Sequence, residues 1–475
     1  MRGHLLGDRI WTLAVLRRSH STSKRQGFGS FHSEDIEVLV RQVDHEYKVP
    51  PLWADMNKRV FGGLDYDIRF GREFKEKFFL LDSSWTFLNH AAFGATLLPL
   101  LEEAREWSIE CERQPLKFFD RELLPLIAHS VRQMAYYLRC PPLELLPLPN
   151  VTTGLNAIVN SIDLKVDDEV VCFSLTYGST KKILQQRCHR SGAKLQIIDI
   201  PLPIDSEEII IDKLQQSLTD RTRFIVIDHI TSNTAILSPT LRLAAMCKER
   251  GVTVVVDAAH GLFSQEVKLD TSQHNEVAIR DVADAWLTNG HKWLCAPKGC
   301  AFMWFNPLTL GPVLRPAIVS HGFSLDTNRI LSAFSWDGCR DYSSMLSVPS
   351  AVQFWELTDK NREISARDYM VNLCREGKEL LREIWGIHDE DMHCPEVLSK
   401  GVPMSLVPLP KNLRGIDTTK DCNDVEAYQL QEWLHHVHHV EVPVKHLNGR
   451  LYVRISAHVH NDINDFIRLA RVVTQ

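Results

Sequence analysis

Between about residues 145 and 305, short runs of apolar, often β-branched residues alternate with longer stretches whose apolar positions recur every three to four residues. That rhythm predicts βα units feeding a mainly parallel sheet. The strand runs are DEVVCFS (168–174), KLQIIDI (194–200), RFIVIDH (223–229), VTVVVDA (252–258), DAWLTN (284–289) and CAFMWF (300–305). Helices are predicted over 178–190 and 238–251, the second opening on Ser-Pro and closing on Gly. Runs that are apolar on nearly every residue imply strands covered on both faces. Ligands of such sheets bind beyond the carboxyl ends of the strands, so the residues just after each run carry the chemical interest.

Outside this stretch the pattern changes. Residues 350–475 read as helix, strand PMSLVPLP (403–410), helix DVEAYQLQEWLHHVHHV (424–440), strand RLYVRIS (450–456) and a last helix, a smaller α+β domain. The expected division is an extension over 1–34, an N-terminal helical arm over 35–110 containing FLNHAAFGA (87–95), a large domain over 111–345 and a small C-terminal domain over 346–475. The first thirty residues carry six Lys/Arg and one acid, Asp8, with a Ser/Thr cluster. Their apolar run, 10–16, is too short to span a bilayer. The segment reads either as an organelle transit peptide or as a disordered cytosolic extension, which makes the expected location intracellular, cytoplasmic or mitochondrial.

Composition narrows the class of partner. The chain of 475 residues is 44% hydrophobic and 24% charged, an ordinary globular balance. A net charge of -6 and a pI near 6.4 give no electrostatic reason to expect nucleic acid or an anionic membrane, so a small molecule is the expected partner. Eleven cysteines without a Cys-x-x-Cys pair read as reduced thiols.

The strand ends then supply a set of groups. NGHKW places Lys292 at the end of an apolar run. It is either a lysine whose stem lies on apolar surface with its head in water, or an amine held deprotonated to attack a carbonyl. VTTGL puts Thr152, Thr153 and Gly154 at a turn into a helix, suited to a phosphate or simply to an N-cap. Asp257 ends a buried run and needs either a cationic partner or backbone amides. Tyr177 offers an aromatic face at its strand end, or a rim residue. A phosphate cup, a flat ring contact, a carboxylate for a ring nitrogen and an amine for an aldehyde are the parts needed to hold pyridoxal 5′-phosphate. Asp257 and Lys292 are 35 residues apart, about one βαβ step, so both can reach one crevice.

The segments FLNHAAFGA, NVTTGLNAI, TYGSTKK, IDHITSNTAI, VVDAAHG, NGHKWLCAPKG, WDGCRD and LYVRISAHVHN, in this order, resemble the class V aminotransferases of fold type I over about residues 80–470. Within them the resemblance is to the isopenicillin N epimerase-like and cysteine desulfhydrase-like branch. It implies a Schiff base at Lys292, which also moves the substrate α-proton. Asp257 would sit on the pyridine nitrogen, His260 on the phenolic oxygen and Tyr177 on the ring face. Thr152, Thr153, Asn289, His291 and Ser232 would join the cofactor site. Arg454 would clamp the substrate carboxylate, with Asn89 and His90 also toward the substrate. WDGCRD (336–341) would come from a partner subunit, making a homodimer.

Two departures matter. Cys339 stands where the family often has threonine, so a hydroxyl toward the phosphate is missing or replaced. Cysteine desulfurases carry a mobile-loop cysteine ahead of the position of Arg454, and VHHVEVPVKHLNGRLYVRIS has none, which argues against persulfide chemistry. The favoured reaction is therefore β-elimination from cysteine or a derivative, giving sulfide or a thiol, pyruvate and ammonia. An epimerase or aminotransferase is the alternative, and a catalytically silent scaffold a further one. His435, His436, His438 and His439 lie at the end of a helix pattern with no acidic or cysteine ligand close by, and read as solvated or facing the helix dipole rather than as a metal site.

Overall fold

The computed structural model describes residues 35–475 apart from 268, 270–276, 326–328 and 414. The expected extension over 1–34 lies outside the described residues.

Seven strands form the large sheet: β1 (Leu145–Leu148), β2 (Glu169–Phe173), β3 (Lys194–Ile198), β4 (Thr222–Asp228), β5 (Thr253–Asp257), β6 (Ala285–Asn289) and β7 (Ala301–Phe305), in the order β1-β7-β6-β5-β4-β2-β3. The pairs from β3 to β6 are parallel, and β7 and β1 close one edge antiparallel. All six expected strands form. β1 was not expected, because four residues containing Pro147 do not read as a strand. It forms at the sheet edge, where a missing N–H is tolerated.

Helices α1 (Leu123–Leu138), α2 (Val151–Ser161), α3 (Gly178–Ser191) and α4 (Thr240–Glu249) pack around this sheet. α4 starts two residues later than Ser-Pro suggested. The Ser238 hydroxyl does not cap it and donates instead to the carbonyl of Asp228 at 2.6 Å.

The small domain is a three-stranded antiparallel sheet, β9-β10-β8, with β8 (Met404–Pro408), β9 (Val444–Leu447) and β10 (Arg450–Ser456). It is covered by α5 (Ala366–Trp385), α6 (Asp424–His438) and α7 (Ile463–Thr474). The two apolar cores do not divide where the pattern suggested, at 345/346. The helix Val348–Asp359 buries Phe354 and Trp355 in the large core, and the small core starts at Leu373. The arm also crosses over, for Leu88 packs in the small core while Phe74, Leu97 and Trp107 belong to the large one.

After the short helix His90–Phe93, the arm turns at Gly94 with φ +69°. A Cβ there would collide with the carbonyls of His291 and Lys292, so only glycine allows this close approach. Replacing Gly94 by alanine is expected to cost about 2 kcal/mol or more in chemical denaturation, through the left-handed backbone and the collision together.

Candidate active site

The carboxyl ends of β4, β5 and β6 and the N-termini of α2 and α3 enclose a cleft lined by Thr152, Tyr177, Asp228, Ser232, Asp257, His260, Asn289, His291 and Lys292, among others. This is where the sheet rule placed it.

Lys292 is half-buried at the cleft floor, and its Nζ lies 3.2 Å from His260 Nε2. Burial pulls the amine down to about 8, against the opposing pull of the Asp257 carboxylate. His260 is fully buried and its pKa is pushed far down by burial, then by Lys292 and Arg454, so the ring is neutral. The Trp293 indole, a donor only, reaches His260 Nδ1 at 3.4 Å. His260 therefore carries its proton on Nε2 and turns an N–H toward the lysine. Trp293 was not foreseen from the sequence, where it reads as core.

Asp257 accepts from the Ala259 N–H at 3.1 Å and from the Thr180 hydroxyl at 3.3 Å. Burial raises its pKa, and the Ala259 N–H, the Lys292 charge and the Thr180 hydroxyl offset this only in part. Beside it in register lies Asp228, which the sequence reading also missed. Burial and then the neighbouring Asp257 push Asp228 up to about 7. Its Oδ1 accepts from the Tyr177 N–H at 3.1 Å, and its Oδ2 is buried with no partner among the described residues. Tyr177 itself lines the cleft and is half-exposed.

At α2 the cap is Asn150, two and three residues before the threonines: its side chain accepts from the Thr153 N–H at 2.9 Å and the Thr153 hydroxyl at 3.1 Å. Asn289 accepts from the Val151 N–H at 3.2 Å. Thr152 faces the cleft, whereas Thr153 is not among the lining residues because its hydroxyl is spent on Asn150. His291 donates from Nδ1 to the Cys300 carbonyl at 3.2 Å, and burial holds its pKa to about 4. A neutral His291 thus leaves a lone pair on Nε2, and only a nearby anion would draw a second proton onto it.

Arg454, at 4% exposure, donates from Nη1 to the Ser232 carbonyl at 2.6 Å and from Nη2 to Asn89 Oδ1 at 2.8 Å. Its Nε is buried without a partner among the described residues. Burial brings its pKa down to about 10. His90 departs from expectation. It is fully buried and does not line the cleft, for Nε2 donates to the Lys292 carbonyl at 3.1 Å and Nδ1 meets His460 Nε2 at 3.1 Å. Asn89 likewise reaches Arg454 rather than the cleft.

His90, Cys295 and His458 bring their ligand atoms within 4.8 Å of one another. The two rings stack with centroids 4.0 Å apart, and both Nε2 atoms donate to backbone carbonyls, His458 to that of Trp293 at 3.0 Å. Neither Nε2 offers a metal a lone pair. The surface histidines do have acidic neighbours, contrary to the sequence reading. His436 meets Glu432 at 3.1 Å and His435 meets Glu441 at 2.8 Å. Cys339 is exposed and lies outside this chain's cleft.

An easily deprotonated amine beside a neutral histidine donor fits an aldehyde with a neighbouring phenolic oxygen. A buried carboxylate short of a cation fits a protonated ring nitrogen, and the helix N-terminus of α2 at Thr152 fits a phosphate. Fold and site together define a pyridoxal-phosphate enzyme of fold type I.

The model of the aminotransferase class-V family matches residues 132–327. The L-cysteine desulfhydrase of Arabidopsis thaliana is 30% identical over 420 residues, covering 82% of this chain and 87% of its own. The isopenicillin N epimerase of Amycolatopsis lactamdurans is 25% identical over 410 residues, covering 83% and 96%. Among solved structures, the cystine C–S lyase C-DES in complex with cysteine persulfide is similar at a TM-score of 0.63 and 16% identity, over 83% of this chain and 98% of that one. The chain belongs to the class V aminotransferase family, and its cofactor is pyridoxal 5′-phosphate.

With its pKa at about 8, Lys292 carries about 300-fold more neutral amine at pH 7 than an ordinary lysine. Capture of added pyridoxal phosphate by the cofactor-free protein, followed near roughly 410–430 nm, is expected to rise with pH to about 8 and then level off. A rate still climbing towards pH 10 would show an unperturbed lysine.

Proposed function

We propose that the protein is a C–S lyase that eliminates sulfide or a thiol from cysteine or a cysteine derivative, with the site residues in the roles that follow. The observation that carries this is the company Lys292 keeps: His260 and Asp257 beside one amine in a cleft that no cysteine lines among the described residues, with Arg454 outside the lining but near enough to lower the pKa of that amine. The relatedness to L-cysteine desulfhydrases supports the same reading.

Bound pyridoxal phosphate supplies a carbonyl for amines and a protonated ring that spreads the electrons left when Cα loses its proton. Asp257 would hold that ring proton, and the cation would offset the rest of the burial cost of the carboxylate. His260, held in this tautomer by Trp293, would donate its Nε2 proton to the phenolic oxygen. Thr152 and the first turn of α2 take the phosphate, with Asn289 bracing Val151 and Ser232 at the cleft wall. Tyr177, on the cleft wall, would cover the ring face. Arg454 binds the substrate carboxylate, whose oxygens would satisfy the buried Nε.

Lys292, the amine nearest this site's His260 and Asp257, would be the base that takes the Cα proton. The Cβ–S bond then breaks and the sulfur leaves as thiolate. The carbon skeleton departs as 2-aminoacrylate, which water hydrolyses to pyruvate and ammonia. A persulfide would need a cysteine within reach of the sulfur. The cysteine upstream of Arg454, Cys422, is buried and bonded to the Asp417 carbonyl at 3.2 Å.

The same reading includes a homodimer in which the exposed segment around Cys339 reaches the partner's cleft. Locally it is stiffened by Arg340, which bonds Asp337 at 2.6 Å and stacks on Tyr342. Light scattering of the purified protein is expected to give twice the 54.4 kDa chain mass.

Incubation with L-cysteine is expected to release sulfide and pyruvate in equal amounts, and Lys292→Ala to abolish this together with the absorbance band of the bound cofactor. Inverted amino acid without sulfide would establish the epimerase instead, a keto acid retaining sulfur would establish the aminotransferase, and a protein that binds no cofactor would be a scaffold.

A further inference from the structure

We propose that Glu441 is a positioning residue for the substrate carboxylate, acting through Asn89 on Arg454. This rests on the reading of Arg454 as the carboxylate clamp and extends it to a residue that touches neither substrate nor cofactor.

The link is a run of side-chain hydrogen bonds. Arg454 Nη2 donates to Asn89 Oδ1 at 2.8 Å, Asn89 Nδ2 donates to Glu441 Oε1 at 2.9 Å, and His435 Nδ1 meets Glu441 Oε2 at 2.8 Å. The direction of this run is dictated at Glu441. An ionised carboxylate only accepts, so the amide of Asn89 must turn its NH2 toward Glu441 and its oxygen toward the guanidinium. In the opposite orientation two N–H groups would face one another across Arg454. Glu441 thereby decides that Asn89 is an acceptor for the clamp.

The backbone holds these groups in register. Val440–Glu441 pairs in parallel with Thr86–Phe87, and the Leu88 N–H donates to the Glu441 carbonyl at 3.0 Å. Asn89 bridges to Ser456, two residues past Arg454 on β10. The arm segment is thus inserted between the strand of Glu441 and that of Arg454. With Nη1 on the Ser232 carbonyl and Nη2 on Asn89, the guanidinium plane has two fixed points, and the partnerless Nε is left for an incoming anion. A planar two-pronged contact tolerates little rotation of that plane. The arrangement also gives a role to the first histidine of HHVHH. His435 packs on Trp85 with ring centroids 4.6 Å apart and fixes the second oxygen of Glu441.

The test uses the full-length holoenzyme with L-cysteine as probe. Sulfide release gives KM and kcat, and the shift of the cofactor band on titration gives half-saturation even in the absence of turnover. Glu441→Leu is expected to raise KM and half-saturation about tenfold, leaving kcat within about twofold and cofactor affinity unchanged. Glu441→Gln keeps an acceptor for Asn89 and is expected to restore the wild-type KM. Asn89→Ala breaks the same link from the other side and should give the KM signature even where Glu441→Leu does not fold. The proposal is overturned if Glu441→Leu and Asn89→Ala leave KM unchanged while Arg454→Lys raises it. It is equally overturned if they lower kcat and cofactor affinity while raising KM, the mark of a general structural role. If Arg454→Lys also leaves KM unchanged, the clamp reading itself has failed.

Discussion

The desolvation of one amine organises this protein. Lys292 lies in a site where its ammonium is poorly solvated, and the fold answers with a carboxylate on one side and a neutral histidine on the other. Such a site must hold its lysine still. The carbonyls of Lys292, Trp293 and Leu294 are each bonded by a ring N–H, from His90 at 3.1 Å, His458 at 3.0 Å and Trp355 at 2.9 Å. The next carbonyl, of Cys295, accepts from the Leu97 N–H at 3.1 Å. Buried carbonyls left without donors would each cost about 1–3 kcal/mol. The donors come from the arm, the small domain and the helix Val348–Asp359, so the lysine segment is where separate parts of the chain meet.

This convergence accounts for the buried histidines. For His90 to donate from Nε2, its Nδ1 must accept, and His460 must supply the proton. Burial keeps His90 and His460 neutral by pushing their pKa values far down, and holds His458 to about 3. A cluster that looks like a set of metal ligands is instead a set of donors to backbone and to one another. At the opposite wall, Asp228 and Asp257 sit side by side, and the rise of Asp228 to about 7 lets one of the pair keep a proton while the other meets a cation.

Much of the cleft was legible because parallel α/β sheets put their chemistry at strand ends. Asp257, Asn289 and Lys292 each follow or end a recognisable apolar run, and Thr152 and Tyr177 stand at the helix starts beyond such runs. What escaped was orientation. Thr153 and Thr152 are equivalent in the sequence, yet one hydroxyl turns to Asn150 and the other to the cleft. His90 sits in the motif FLNHAAFGA beside Asn89, but its ring bonds the backbone carbonyl of Lys292 and does not line the cleft. Asp228 and Trp293 read as the end of a strand and as core, because their roles depend on neighbours far along the chain.

By itself the sequence determined the βα rhythm, the small C-terminal domain, the chemistry at the strand ends and the missing loop cysteine, since each is a matter of local pattern and residue type. The tertiary structure alone decided which nitrogen of His260 bears the proton, which way Asn89 faces and how Arg454 is held. Those depend on partners 33 residues away for Trp293 and His260, 352 for Asn89 and Glu441, and 365 for Asn89 and Arg454. Hydrogen-bond direction is settled by donor and acceptor meeting in space, and only the folded chain brings these together.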